Sequence, residues 1–377
     1  MFKRNYFYIE QQSHFADTVT MLAAQLQKGY SLQALMGITV FISASDNAGF
    51  STKRQMIRQT VSQFFDCLPV ACIAQPVGEG IAVEVWTHDT CRNLRHKATE
   101  GIHITTCEDS FGKSIWVFGI CAEDIHLPFH EQATFAFEKM QALLASEGFT
   151  MDDIVRQWNY IPQILQTVQQ ANCLYQHYQV FNDIRQYYYG QYKSNGMYPA
   201  ATGIGMQYGT VAIDFYAVKK ADAVIEKALN NPNQINAFQY GQAVLVGSPF
   251  QADETKKAPL FERAKYLASA NEALTFISGT ASIIGEKTIG GNDIAEQTRT
   301  TLRNMLQFMD PENLQSAGIE RSKPEYSYLR CYVKNTEDIP AVQKICEEQT
   351  AVPVLYVQAD ICRDDLLVEI EGEAVFS

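Results

Sequence analysis

Apolar positions along the chain recur at a constant offset. From Glu131 the sequence reads EQATFAFEKMQALLASEGF, and from Glu296 it reads EQTRTTLRNMLQFM. Phe137, Met140 and Leu144 make an apolar stripe at helical spacing in the first segment, and Leu302, Met305 and Met309 repeat it in the second. Both segments are predicted to be amphipathic helices with one face on a sheet. Each follows a β-rich run with a glycine near its end, SIWVFGICA (114–122) and LTFISGTASII (274–284). Each precedes another strand-like run, VRQWNYIP (155–162) and YSYLRCYVK (326–334). A second helix follows in both copies, then a Pro and two β-rich segments, the last being GTVAIDFYAV in one copy and DLLVEIEG in the other. The shared order of strand, helix, strand, helix and strand pair predicts an α+β fold of two tandem sandwiches, each a mixed sheet with two helices on one face. The polar stretch KKADAVIEKALNNPNQINAF (219–238) reads as a connecting helix and loop. It divides the chain into an N-terminal domain, 1–220, and a C-terminal domain, 221–377.

Composition narrows the function classes. A chain of 377 residues with 46% hydrophobic and 19% charged side chains is long enough for two cores. With 21 Phe and 19 Tyr it must either pack its rings or line a ring-binding pocket with them. The formal net charge of −12, without a long basic run, argues against a nucleic-acid partner. MFKRNYFYIEQQ at the start has no apolar stretch of signal length, and no apolar run long enough to span a membrane follows, so a soluble cytoplasmic protein is expected. Nine Cys are scattered without a CxxC pair, which favours neither structural zinc nor a disulfide framework. All seven His lie at or before His177, so chemistry in the C-terminal half must rest on carboxylates, Tyr, Lys or Cys.

Four segments could carry that chemistry. RQWNYIP places Trp158, Asn159 and Tyr160 at a strand end, where side chains alternate between core and surface. In YQHYQVFNDIRQYYYGQY (175–192), Tyr178, Phe181 and Arg185 fall at helical spacing, as a core stripe or as an aromatic face with one cation. YPAATGIGMQYG from Tyr198 is a turn whose backbone N–H groups and Thr202 hydroxyl could hold a carboxylate; it lacks the GK[ST] of a phosphate loop. In ADICRDDLLVEIEGE (359–373), Leu366, Val368 and Ile370 alternate with Leu367, Glu369 and Glu371, so one strand face is apolar and two carboxylates share the other. A carboxylate in a largely apolar cleft holds its proton near neutral pH and can act as a general acid; a solvated strand face is the plain alternative.

Taken together, RQWNYIP, YQVFNDIR, YPAATGIG, FERA, FISGTASIIG, EQTRTTLRNM and ADICRDDLLVEIEG resemble the chorismatase family, chorismate-hydrolysing enzymes built on the YjgF/RidA fold. The resemblance runs from about residue 155 to 372, while residues 1–110 carry no such motif. It implies that each half has the YjgF-like, chorismate-mutase-like sandwich. It further implies cleavage of the enol-ether pyruvyl group of chorismate to pyruvate and a hydroxybenzoate or a dihydroxycyclohexadiene carboxylate, without metal or organic cofactor. On this resemblance Glu369 is the proton donor, Arg263 and Arg363 bind the substrate carboxylates, and Tyr160, Tyr198 and Thr202 position the ring and its hydroxyl. Cys362 and Gly279 shape the pocket, and a Cys before this Arg accompanies hydroxybenzoate formation.

Two departures keep other functions open. Imine-hydrolysing YjgF/RidA proteins clamp their substrate carboxylate with an Arg about fifteen residues before the VEIE glutamate, where this chain has Val354; the equivalent turn of the first half has Ala201. That disfavours the deaminase. At GEKTIGG (285–291), Glu286 and Lys287 stand where the family pattern has a His-containing sequence, which leaves room for an altered activity or a non-catalytic small-molecule-binding protein. The expected ligand is a cyclic carboxylic acid, with neither nucleic acid nor membrane as partner. A monomer that builds its cleft between its own halves and a homotrimer are both compatible with the sequence.

Overall fold

A computed structural model describes residues 2–170, 173–248, 255–320 and 324–376. Three sheets follow one another along the chain. The first has four strands, β1 (Phe2–Ile9), β2 (Leu35–Ile42), β3 (Val70–Ile73) and β4 (Ile81–His88), ordered β1-β4-β2-β3. Helices α1 (Phe15–Gly29) and α2 (Asn47–Ser62) pack together beside it. Asp46 caps α2 by accepting the Gly49 N–H at 2.7 Å.

The second sheet contains β5 (Arg92–Thr99), β6 (Ile102–Asp109), β7 (Gly112–Cys121) and β8 (Ile154–Pro162). After a hairpin of β9 (Thr167–Gln170) and β10 (Cys173–Gln176), it is completed by β11 (Ala200–Met206) and β12 (Ala212–Lys220), in the order β11-β8-β12-β7-β6-β5. The third sheet contains β13 (Ile225–Leu229), β14 (Ala264–Ala268) and β15 (Ala273–Ala281). A small hairpin of β16 (Ile283–Ile284) and β17 (Lys287–Thr288) separates these from β18 (Pro324–Val333), β19 (Val354–Gln358) and β20 (Val368–Phe376). Its order, β13-β14-β15-β20-β18-β19, is that of the second sheet read backwards. Each sheet is mixed because one pair, β8 with β11 and β18 with β19, is parallel. A parallel pair needs a crossover connection. The crossovers are α4 (His177–Tyr192) and α7 (Ile339–Gln349), which lie beside α3 (Phe129–Ser146) and α5 (Ile294–Leu306) respectively; a short α6 (Pro311–Ser316) follows α5.

The chain therefore has the two expected tandem α+β sandwiches, with a smaller α/β layer ahead of them. The second sheet ends at Lys220 and the third begins at Ile225, while residues 1–220 hold two sheets. The helix stripes pack as their spacing implies: Phe137, Met140 and Leu144 belong to the second sheet's helix-side core, and Leu302 and Met305 to the third's. Met309 departs from the pattern. Helix α5 stops at Leu306, and the tighter 3-10 turn at Gln307–Met309 points Phe308 inward instead.

One expectation is corrected outright. Residues 225–229, read as part of a connecting helix, form the edge strand β13, antiparallel to β14. Pairing to an open sheet edge outweighs the helix propensity of AVIEKAL, and Glu226 is held there by Lys220 and Lys265.

The three sheets share a large core, where many of the rings gather. Phe2 of the first sheet lies 5.0 Å from Trp116 of the second and 5.5 Å from Phe276 of the third, ring centre to ring centre. Trp86 and Trp158 meet at 5.5 Å beside them. Among the described residues no helix is long and apolar enough to cross a membrane.

Candidate active site

Strand β20 points three successive alternate carboxylates at this core. Glu369, Glu371 and Glu373 are 4%, 0% and 3% exposed, so the strand face is buried and not solvated. Val368 and Ile370, on the opposite side, pack in the third sheet's helix-side core. Leu366, read as part of the same alternation, lies just before the strand.

The three acids have different surroundings. Glu371 is ion-paired to Arg330 at 2.7 Å, Arg156 at 2.7 Å and Arg4 at 3.1 Å. It also accepts the Trp158 Nε1–H at 2.9 Å and the Thr202 hydroxyl at 2.5 Å. Burial opposes its charge, but the three guanidinium groups outweigh burial and hold its carboxyl well below the usual range. Glu373 pairs with Arg4 at 2.8 Å, and burial pushes it up to about 7. Glu84 on β4 completes the network, accepting from Arg4, Arg330 and the Tyr328 hydroxyl. Removing one partner from such a buried cluster typically costs about 3–5 kcal/mol.

Among the described residues no hydrogen bond or ion pair reaches the Glu369 carboxyl. Burial and repulsion from Glu371 raise it to about 8, with Arg263 and Arg156 pulling the other way. It is therefore a neutral acid at pH 7. Gly279 on β15 makes room for it, because a Cβ at that position would stand 2.0 Å from Glu369 Oε1.

Glu369 lines a cleft between the second and third sheets. Ala201 and Gly203 of β11, with Tyr178 of α4, form one wall; Gly279, Cys362 and Arg363 form the other. Tyr240, Leu245, Pro259, Phe261 and Arg263 complete its lining. Arg263 donates through Nη2 to the Ile235 carbonyl at 2.6 Å and the Tyr240 hydroxyl at 2.7 Å; among the described residues its buried Nε has no partner. Arg363 donates through Nη1 to the Glu286 carbonyl at 2.7 Å, and its Nη2 is likewise unpartnered. Burial, with repulsion from Glu369, pushes the Cys362 thiol up to about 12 against the pull of Arg363 and Arg263, so it stays neutral.

The structure thus brings Glu369, Arg263, Gly279, Cys362 and Arg363 together around one cleft. Thr202 stands behind it: its hydroxyl accepts from Arg156 at 2.7 Å and from the Gly279 N–H at 3.1 Å while donating to Glu371. Tyr160 lies in the shared core, where its hydroxyl accepts from Arg330 at 3.1 Å. Tyr198 stacks on Tyr189 and sits tilted against Phe238, outside the cleft lining. Of the α4 stripe, Tyr178 faces the cleft while Phe181 joins the helix-side core and Arg185 donates to Asn182. Val354 packs in the third sheet's helix-side core.

Sequence reasoning missed Arg4, Glu84, Arg330 and Glu373, and weighed only the rings around Arg156. A signal was present in the interior strands. Arg156 in IVRQWNYIP, Arg330 in SYLRCYV and Glu84 in IAVEVWT are lone charges within largely apolar strand segments, which buries each with its ladder and obliges it to find partners.

Two equivalent sandwiches meeting at a cleft with an unpaired acid and two under-satisfied arginines define a class of small-molecule site built within one chain. Comparison with known proteins agrees. Residues 84–217 match the family described as chorismatase FkbO/Hyg5-like, N-terminal. A 3-hydroxybenzoate synthase of Streptomyces hygroscopicus is 31% identical over 255 residues, covering 64% of this chain and 68% of that protein. A chorismatase of Streptomyces rapamycinicus is 34% identical over 180 residues, 46% of this chain and 50% of that one. A chorismatase crystal structure superposes with a TM-score of 0.71 at 21% identity over 98% of both chains, which shows a shared fold. The chain belongs to the chorismatase family.

Proposed function

We propose that the protein is an enzyme that acts on chorismate and releases its enol-ether pyruvyl group as pyruvate. The observation that carries this reading is the protonated, unpaired Glu369 carboxyl over Gly279, in a cleft that also holds Arg263 and Arg363. Glu369 donates its proton to the vinyl methylene carbon, forming a C–H bond and leaving an oxocarbenium centre. The new Glu369 carboxylate faces that cation and stabilises it. Water adds to the cationic carbon and returns a proton to the carboxylate. Collapse of the resulting hemiketal breaks the bond to the ring oxygen, giving pyruvate and a dihydroxycyclohexadiene carboxylate. Loss of water from that ring gives a hydroxybenzoate, so the two product types differ by one water. Likeness to the 3-hydroxybenzoate synthase, and the Cys362 that precedes Arg363 in the cleft, favour the hydroxybenzoate.

The substrate is a dicarboxylate, and the free N–H groups of Arg263 and Arg363 are the receptors for its two charges. Ionised Glu371 has a supporting part. Locked by three arginines, it does not share the proton of Glu369, and its negative charge helps keep that proton in place. Both walls of the cleft come from one chain, so the proposed site needs no second copy.

Incubation with chorismate, followed by enzymatic assay of pyruvate and chromatography of the aromatic product, tests the proposal. Pyruvate release far above the uncatalysed rate is expected. Background release at high protein concentration would overturn it, and binding of hydroxybenzoates without turnover would then mark a non-catalytic cleft.

A further inference from the structure

The GEKTIGG turn lies outside the cleft lining, yet its Glu286 touches Arg363 and the segment that receives Arg263. Its carboxylate Oε2 accepts the Gly241 N–H at 2.8 Å, and its backbone carbonyl accepts Arg363 Nη1 at 2.7 Å. The approach at Gly241 is close: a Cβ there would stand 3.3 Å from both Glu286 oxygens. The neighbouring Gly285 fastens the same turn through its backbone, accepting the Ile235 N–H at 2.9 Å and donating to the Asn233 carbonyl at 2.7 Å. Ile235 and Tyr240, at the two ends of the stretch thus held, are the groups that accept from Arg263 Nη2.

Tyr240 is the element common to both cations. Its ring centre lies 5.4 Å from the Arg263 guanidinium carbon and 5.1 Å from that of Arg363. Two guanidinium groups repel each other, and a shared ring attracts both through its quadrupole. Among the described residues each keeps a buried nitrogen without a partner, Nε of Arg263 and Nη2 of Arg363, and so retains donor capacity for a ligand.

We propose that Glu286 is a positioning residue: by tying the Tyr240–Gly241 segment to its own turn, it holds Arg263 and Arg363 as a spaced pair of receptors for a dicarboxylate. This rests on the reading of the cleft given above and assigns to Glu286 no contact with the reacting atoms. Its effect falls on binding of a doubly charged ligand, more than on the chemical step and more than on a singly charged ligand.

The test compares wild type, Glu286→Ala and Glu286→Gln in steady-state kinetics with chorismate, and in calorimetric titrations with isophthalate and benzoate as doubly and singly charged probes. Alanine removes the acceptor for Gly241; glutamine keeps one. For Glu286→Ala, KM and the isophthalate Kd should rise about tenfold, the loss of one charge-assisted hydrogen bond. The expected change in kcat and in benzoate affinity is about threefold or less, and Glu286→Gln should recover most of the loss. Unchanged KM, equal impairment of both variants, or a fall confined to kcat would overturn the assignment. So would a wild-type cleft that does not prefer isophthalate to benzoate. If Glu286→Ala fails to fold, Tyr240→Phe replaces it, since it removes the acceptor of Arg263 and should shift KM in the same direction. If wild type releases no pyruvate, the enzymatic reading falls, and the probe titrations alone decide the role of Glu286.

Discussion

The second and third sheets share one strand order, and their middle strands can be compared position by position. On β12, Ala212, Asp214 and Tyr216 stand opposite Tyr160, Trp158 and Arg156 of β8. On β20, Glu369, Glu371 and Glu373 stand opposite Tyr332, Arg330 and Tyr328 of β18. Ala212 thus occupies the place of the proposed acid, and Asp214 that of the locked carboxylate. Asp214 has no arginine cage: it accepts the Gly119 N–H at 2.5 Å, and burial raises it to about 7. The first copy instead lends Arg156, Trp158 and Thr202 to Glu371 of the second. Duplication supplied two equivalent backbones, and the chemistry followed the side chains, with one copy serving as the support of the other.

The contrast breaks most sharply at Glu369. Replacing it by Gln should lower kcat by about 10³-fold, the scale of a lost general acid, with a native circular dichroism spectrum. The same variant sharpens the comparison through stability. The folded-state pKa of Glu369 is raised, so its contribution is fully present below its ordinary value and is lost as pH rises through about 8. Glu369→Gln is spared that loss, and its melting temperature should gain roughly 2 °C on wild type between pH 6 and pH 9.

Gly279→Val drives two further methyl groups into the space of the Glu369 carboxyl and should cost about 10²-fold in kcat, measured by pyruvate release. In wild type, kcat/KM should be flat below pH 8 and fall by about tenfold per pH unit well above it, because only the protonated acid is active. The smallest effect belongs to the first copy. Asp214 does not line the cleft, and Asp214→Asn should leave kcat/KM within about twofold of wild type. A large loss there would show that the two copies are not functionally divided as their carboxylates suggest.

The repeat was legible because each amphipathic helix must present one apolar face to a sheet, and the matching Phe137/Leu302 and Met140/Met305 positions record that demand. Strand β13 was not legible, since AVIEKAL suits a helix and only the open edge of β14 makes it a strand. The VEIEGE alternation announced a row of carboxylates on one face. It did not announce their different protonation states, because Arg4, Arg156 and Arg330 approach Glu371 from three separate sheets. Nor did the first 110 residues show that Arg4 belongs to this network or which partners the lone Glu84 would meet, since a partner hundreds of residues away leaves no local trace.

By itself, the sequence determined the period of the helices and strands, their duplication and the placement of Glu369 and Glu371 on one strand face, all consequences of local geometry. Only the tertiary structure decided that Glu369 is the unpaired acid and Glu371 the locked anion. A carboxyl's proton depends on its desolvation and on charges within a few ångströms, and here those charges are brought together by the meeting of three sheets.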